Sequence, residues 1–388
     1  MRSARVLGLS SVAVLASVHL VAQGPPPARQ GPPPVVSPQV SADRMVTFRL
    51  RAPDAKRVSV VVSEIMRQAP GYNPKWATGT FNDDEVEMRK DSDGVWSLTV
   101  GPVLPDKYDY SFNVDGVHTL DPVNLAVKPG DAAVENWLTV RDRDGLYSDN
   151  LDVPHGAVTT LTYHSKTLGL ARFLNVYTPP GYETNTARYP VLYLLHGGGN
   201  RYDTWASADA GLIFDNLLSK KAMTPMVVVM PNGHVAPGAK ETPANTPGGA
   251  FGADFLNDVM PTVESRYRIR ADRNNRAIVG LSMGAGQSAA IGFARLDLFS
   301  HIGLMSGVGL DREGRIPAYI PGAEAVNGKL KLFWMGRGKT ENIDGARAFS
   351  KALQAKGITH TLHESDFGHS WITWRRDLYY EVAPRLFR

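Results

Sequence analysis

Residues 277–285 read Ala277-Ile278-Val279-Gly280-Leu281-Ser282-Met283-Gly284-Ala285, and small residues continue to Ala294. An apolar run, a serine flanked by glycines and a small-residue segment predict a strand, a sharp turn and a helix. Such a turn sets the Ser282 hydroxyl at the C-terminal edge of a sheet, over the helix N-terminus. Gly280 and Gly284 flank it because the backbone must approach itself closely there. Alone, Gly-x-Ser-x-Gly is a weak signal, since chance gives about 0.2 matches in a chain of this composition. Its setting carries the reading.

Around that stretch, unbroken apolar runs recur at Val191–Leu195, Met226–Met230, Ile302–Met305 and Leu330–Met335. Runs without alternation suit strands buried on both faces of a parallel sheet. Helical segments lie between them. Phe251, Phe255, Val259 and Val263 recur every four residues, and Ala346 to Lys356 is rich in helix formers and stops at Gly357. Alternating strands and helices over 150–388 predict a doubly wound α/β domain.

Residues 41–142 have another texture. Val46, Phe48 and Leu50 alternate with polar residues, as do Val58, Val60 and Val62, and Trp96, Leu98 and Val100. Asp93-Gly94 and Asp115-Gly116 are hairpin-turn dipeptides. The expectation is a small β-sandwich. Before it, residues 23–40 are rich in Pro, Gly and Gln and read as an extended linker. Residues 1–22 carry Arg2 and Arg5, then an apolar stretch from Val6, then Leu20-Val21-Ala22. That order predicts a signal peptide cleaved near Ala22 and a secreted or periplasmic protein.

The 388 residues are 43% hydrophobic and 21% charged, with a formal charge of +4. Two of the basic residues lie in the signal-like segment, and no Lys/Arg cluster suggests nucleic acid or a membrane surface as partner. Without cysteine, a thiol nucleophile or thiolate-bound metal is excluded. No His-Glu-x-x-His or comparable ligand cluster suggests a metal, and no cofactor is expected.

A serine hydroxyl needs a base. His369, in Asp366-Phe367-Gly368-His369-Ser370-Trp371, follows the expected last strand, His360–Glu364. Chain order and loop position make it the expected base. An orienting acid belongs after Leu330–Met335, where Glu341 and Asp344 both qualify. His196-Gly197-Gly198-Gly199 follows Val191–Leu195 and suits an oxyanion loop, with the Gly198 and Met283 N–H groups as donors. Trp205 and Trp371 are candidate substrate contacts, and Trp374 a core residue or a further one.

Three motifs together resemble the esterase D-like, family-1 carbohydrate esterases. They are Leu-Leu-His-Gly-Gly-Gly at 194–199, Gly-Leu-Ser-Met-Gly at 280–284 and Gly-His-Ser-Trp-Ile-Thr-Trp at 368–374. Arg49–Pro53 and Trp96–Pro102 resemble the immunoglobulin-like E-set domain that often precedes such esterases, and Tyr72 and Trp76 are its candidate sugar contacts. The resemblance implies an α/β-hydrolase fold, a serine carboxylic-ester hydrolase and a plant cell-wall polysaccharide such as arabinoxylan, carrying feruloyl or acetyl esters, as substrate. It favours Glu341 as the acid, because Arg337-Gly338-Lys339-Thr340-Glu341 aligns with a loop that usually carries Asp. That departure keeps a non-catalytic glycan-binding protein in view. Related folds keep a siderophore-ester hydrolase or an acyltransferase in view.

Overall fold

In the computed structural model, which describes residues 33–66, 85–236 and 246–388, Val35–Arg388 form one unit. The signal-like segment, most of the linker, Tyr72 and Trp76 lie outside the described residues. Among the described residues ten strands build the N-terminal part. They are β1 (Gln39–Val40), β2 (Val46–Arg51), β3 (Val58–Val61), β4 (Glu85–Glu87), β5 (Arg89–Lys90), β6 (Val95–Val100), β7 (Asp106–Val114), β8 (Val117–Thr119), β9 (Val127–Lys128) and β10 (Glu135–Val140). One sheet runs β1-β2-β6-β5 and the other β4-β3-β7-β10-β9, with β8 on β7. Val46, Phe48 and Leu50 from the first sheet meet Val58, Val60, Tyr108, Tyr110 and Phe112 from the second. Period-two alternation thus produces the expected sandwich. The linker boundary needs correction, because Gln39 and Val40 already pair with Thr47 and Val46, and Ser37 Oγ accepts the Arg49 N–H.

The C-terminal part is an eight-stranded sheet of order β11-β12-β14-β13-β15-β16-β17-β18. Its strands are β11 (Ala157–Ser165), β12 (Leu170–Thr178), β13 (Val191–Leu195), β14 (Val227–Pro231), β15 (Arg276–Leu281), β16 (His301–Met305), β17 (Leu332–Gly338) and β18 (Thr361–Ser365). β11, β12 and β14 pair antiparallel in turn, and β13 to β18 are parallel. On β13, Val191, Tyr193 and Leu195 face one core while Leu192 and Leu194 face the other. Burial on both faces explains the unbroken apolar runs. This is an α/β-hydrolase domain.

The four-residue repeat of Phe251, Phe255, Val259 and Val263 has a cause. An α-helix winds at 3.6 residues per turn, so a spacing of four drifts around its surface. Here the helix Gly249–Asp254 passes into a π turn at Phe255–Val259 before the helix Met260–Arg266. The wider turn cancels the drift, and all four side chains stay in one core.

The seam between sandwich and hydrolase is built like an interior. Trp137 of β10 belongs to a hydrolase core, and Ile372, from the helix Trp371–Arg376, belongs to the sandwich core. Asp106, fully buried at the start of β7, is paired with Arg375 and, at 2.7 Å, with Arg376. Lys107 reaches Asp209 at 2.5 Å. Among the described residues no helix is long and apolar enough to cross a membrane.

Candidate active site

Ser282 stands between β15 and the helix Met283–Ala294 with φ 51° and ψ −115°. A non-glycine residue at positive φ is strained, and the packing around the turn enforces it. A β-carbon on Gly280 would lie 2.3 Å from the Gly284 carbonyl oxygen, and one on Gly284 would lie 2.4 Å from that of His196. Both glycines are therefore required by close approach, as the sequence pattern indicated.

His369 Nε2 lies 3.0 Å from Ser282 Oγ, and its Nδ1 lies 3.0 Å from Glu341 Oε2. Glu341 Oε1 accepts from Ser306 Oγ at 2.7 Å and from the Gly338 N–H at 3.0 Å. Arg337 sits 3.4 Å from Oε2. Burial pushes the Glu341 carboxyl up, but the hydrogen bonds with His369, Ser306 and Gly338 outweigh it and hold it below its ordinary value. Asp344, the alternative acid, has a side chain 91% exposed and pairs with Arg347. The geometry brings Ser282, His369 and Glu341 together and leaves Asp344 outside.

The glycine loop lies beside this row. A β-carbon on Gly197 would come 2.5 Å from Leu281 Cδ1 and 3.2 Å from Ser282 Cβ, so the loop crosses directly over the elbow. The Gly199 N–H donates to His234 Nε2 at 3.1 Å. The Gly198 N–H meets no acceptor among the described residues, nor does that of Met283 at the first turn of its helix. The buried His196 receives the Gly233 N–H on Nε2 at 2.8 Å, and its Nδ1 lies 2.8 Å from the Gly197 carbonyl. Burial drives its pKa down to about 4, so a neutral ring shapes the loop.

A cavity of about 530 Å³ holds Ser282, His369, Gly197, Gly198, Trp371 and Trp374 in its lining. Trp205 requires correction as a substrate contact. It is 1% exposed, donates its indole N–H to the Leu195 carbonyl at 3.2 Å and stands edge-on to Trp371. The short helix Thr204–Ser207 turns that side chain inward, beneath the loop. Trp371 does line the cavity, backed by Trp205, Trp137 and Trp374. Ser306 was missed from sequence. It follows β16 as Ser282 follows the neighbouring β15, also at positive φ, and receives the Trp374 indole N–H at 3.0 Å. A polar residue just past the end of a parallel strand was the available signal.

Residues 165–317 match the Esterase family model. The esterase match includes Ser282 and the glycine loop but ends before Glu341 and His369. An endo-1,4-beta-xylanase/feruloyl esterase of Xylanibacter ruminicola is 31% identical over 359 residues, which are 90% of this chain and 46% of that protein. Endo-1,4-beta-xylanase Y of Acetivibrio thermocellus is 29% identical over 54% of this chain and 20% of its own length. The chain thus spans less than half of these two curated relatives. A solved ferulic acid esterase is 26% identical, covering 60% of this chain and 99% of that one, with a TM-score of 0.53. The enterobactin esterase of Shigella flexneri shares the fold over 88% of this chain and 92% of its own at 17% identity, with a TM-score of 0.62.

Proposed function

We propose that the chain is a serine carboxylic-ester hydrolase that releases feruloyl groups from a plant cell-wall polysaccharide of the arabinoxylan type. The observation that carries this is the row Ser282–His369–Glu341, with both links at 3.0 Å, on the wall of one cavity. In this reading His369 removes the Ser282 proton as Oγ attacks the ester carbonyl. Glu341 keeps the imidazole oriented and stabilises the imidazolium. The N–H groups of Gly198 and Met283 hold the oxyanion, and His369 returns the proton to the leaving sugar alcohol. Water, deprotonated by the same imidazole, then releases the acid from the acyl-serine.

Substrate class rests on kinship and on size. A relative matched over 90% of this chain is named a xylanase/feruloyl esterase. A tryptophan-walled cavity of about 530 Å³ suits an aromatic acyl group, whereas an acetyl group needs far less room. The unbroken row disfavours a non-catalytic glycan binder, since Glu341 occupies the orienting position despite its extra methylene. A polymer substrate outside the cell agrees with the signal-like residues 1–22.

The test is hydrolysis of methyl ferulate and 4-nitrophenyl acetate by wild type, Ser282→Ala and Glu341→Gln. Turnover of ferulate should vanish in Ser282→Ala and fall about 10³–10⁴-fold in kcat in Glu341→Gln. Full activity in Ser282→Ala would end the proposal.

A further inference from the structure

The lining of the cavity comes from two sources. The hydrolase domain contributes the glycine loop and an apolar part, Leu281, Trp371 and Trp374, while the sandwich contributes Glu64 and the trio Asp109, Lys128 and Glu135. These three stand on adjacent strands. Glu135 faces Lys128 directly across β10 and β9, and Asp109 faces Trp137, two residues along β10 from Glu135. Period-two geometry therefore puts all three on one face of the sheet. Tyr108 and Tyr110, on either side of Asp109, fill the sandwich core on the other face.

Lys128 is 9% exposed, and its ammonium bridges Asp109 and, at 2.5 Å, Glu135. Burial and the neighbouring Asp109 push the Glu135 carboxyl up, while Lys128, against burial, holds that of Asp109 down, so the two share one ammonium in a largely desolvated wall, an unfavourable arrangement unless the oxygens find partners. An ionised carboxylate accepts about four hydrogen bonds. Lys128 donates to both side chains, and Asp109 and Glu135 also lie within hydrogen-bond reach of each other, which leaves positions on both for further partners. A second observation points the same way. Ser370 lines this cavity, is also 9% exposed, and its hydroxyl has no partner among the described residues.

We infer that Asp109, Lys128 and Glu135 form a substrate subsite, lent by the sandwich to the hydrolase cavity, that takes a neutral hydroxyl-bearing group. Its O–H donates to the free carboxylate positions, and its oxygen can accept from Lys128 or Ser370. Two neighbouring carboxyl groups disfavour a third in the same place. The inference rests on the esterase reading and adds to it the end of the substrate remote from the reacting carbonyl. It also gives the sandwich a role unlike that of an exposed aromatic sugar platform. Hydroxyls of this kind come from two sources, the phenol of a feruloyl group and the sugar that carries it.

The experiment compares kcat/KM for methyl cinnamate, methyl ferulate and a feruloylated arabinose oligosaccharide, using wild type, Glu135→Gln, Asp109→Asn and Ser370→Ala. Glu135→Gln and Asp109→Asn keep the shape, and a thermal melt of each confirms folding. The expected result is a tenfold or greater loss on a hydroxyl-bearing ester, with methyl cinnamate held within about twofold. Loss already on methyl ferulate assigns the subsite to the phenol. Loss on the oligosaccharide alone assigns it to the sugar. Equal loss on all three esters, or none on any in both carboxylate variants, overturns the subsite while leaving the esterase standing. Failure of wild type on every ester is a separate result, which overturns the esterase reading and the subsite with it.

Discussion

Ser306 connects two parts of the site that the chain keeps far apart. Its hydroxyl donates to Glu341 and accepts from Trp374, whose ring meets His369 edge-on at 5.0 Å. Removing it deprives Glu341 of one of its donors and leaves a buried indole N–H without its acceptor. Ser306→Ala should lower kcat on methyl ferulate about tenfold with KM nearly unchanged, since the carboxylate is charged in every state but less firmly placed. Wild-type kcat in that variant would show that Gly338 alone suffices to hold Glu341. Residues were legible from sequence where chain order constrained them, as for Ser282 and His369. The inward turn of Trp205 was not, because a four-residue helix after a loop carries too little periodicity to reveal its buried side.

At the scale of elements, the glycine loop is held by hydrogen bonds from several directions. Besides His196 and His234, the sandwich loop between β9 and β10 reaches it. The Asp131 N–H donates to the Gly199 carbonyl at 2.8 Å, and Thr204 Oγ1 donates to the Pro129 carbonyl at 2.9 Å. The buried neutral imidazole in this assembly gives stability a pH dependence. His196 binds a proton near 6.5 when unfolded and only near 4 when folded. Between those values the unfolded chain holds more protons, so stability present above pH 6.5 is lost as pH falls toward 4. The loss is about 3 kcal/mol for such a shift. His301, likewise lowered to about 4 by burial, adds to it. Urea midpoints measured from pH 7.5 to 4.5 should fall steeply in wild type and less in His196→Asn. Equal slopes would mean that His196 is not buried neutral. Strand runs and the strand–elbow–helix were legible because burial on two faces removes polar residues from a strand. The π turn was not, since a spacing of four reads as an ordinary helix.

Across the whole molecule, the seam is the feature that sequence concealed. Arg375 and Asp106 are 269 residues apart and fully buried against each other. No local pattern announces such a pair, and both parts read as self-sufficient domains. The seam also adjoins the proposed site, because the helix Trp371–Arg376 begins two residues after His369. Asp106→Ala leaves Arg375 buried without its main counter-charge and should cost about 3–5 kcal/mol. A thermal melt would register this as one cooperative transition shifted downward. Two resolved transitions would mean that sandwich and hydrolase unfold independently.

The interlocking of Trp137 with one core and Ile372 with the other bears on how such a protein can be inherited. A recombination event that carried off residues 157–388 alone would strip a hydrolase core of Trp137 and leave a buried guanidinium uncompensated. A hydrolase half that travelled alone would first need those positions refilled. While the halves stay joined, mutations on either side of the seam should be accepted in compensating pairs.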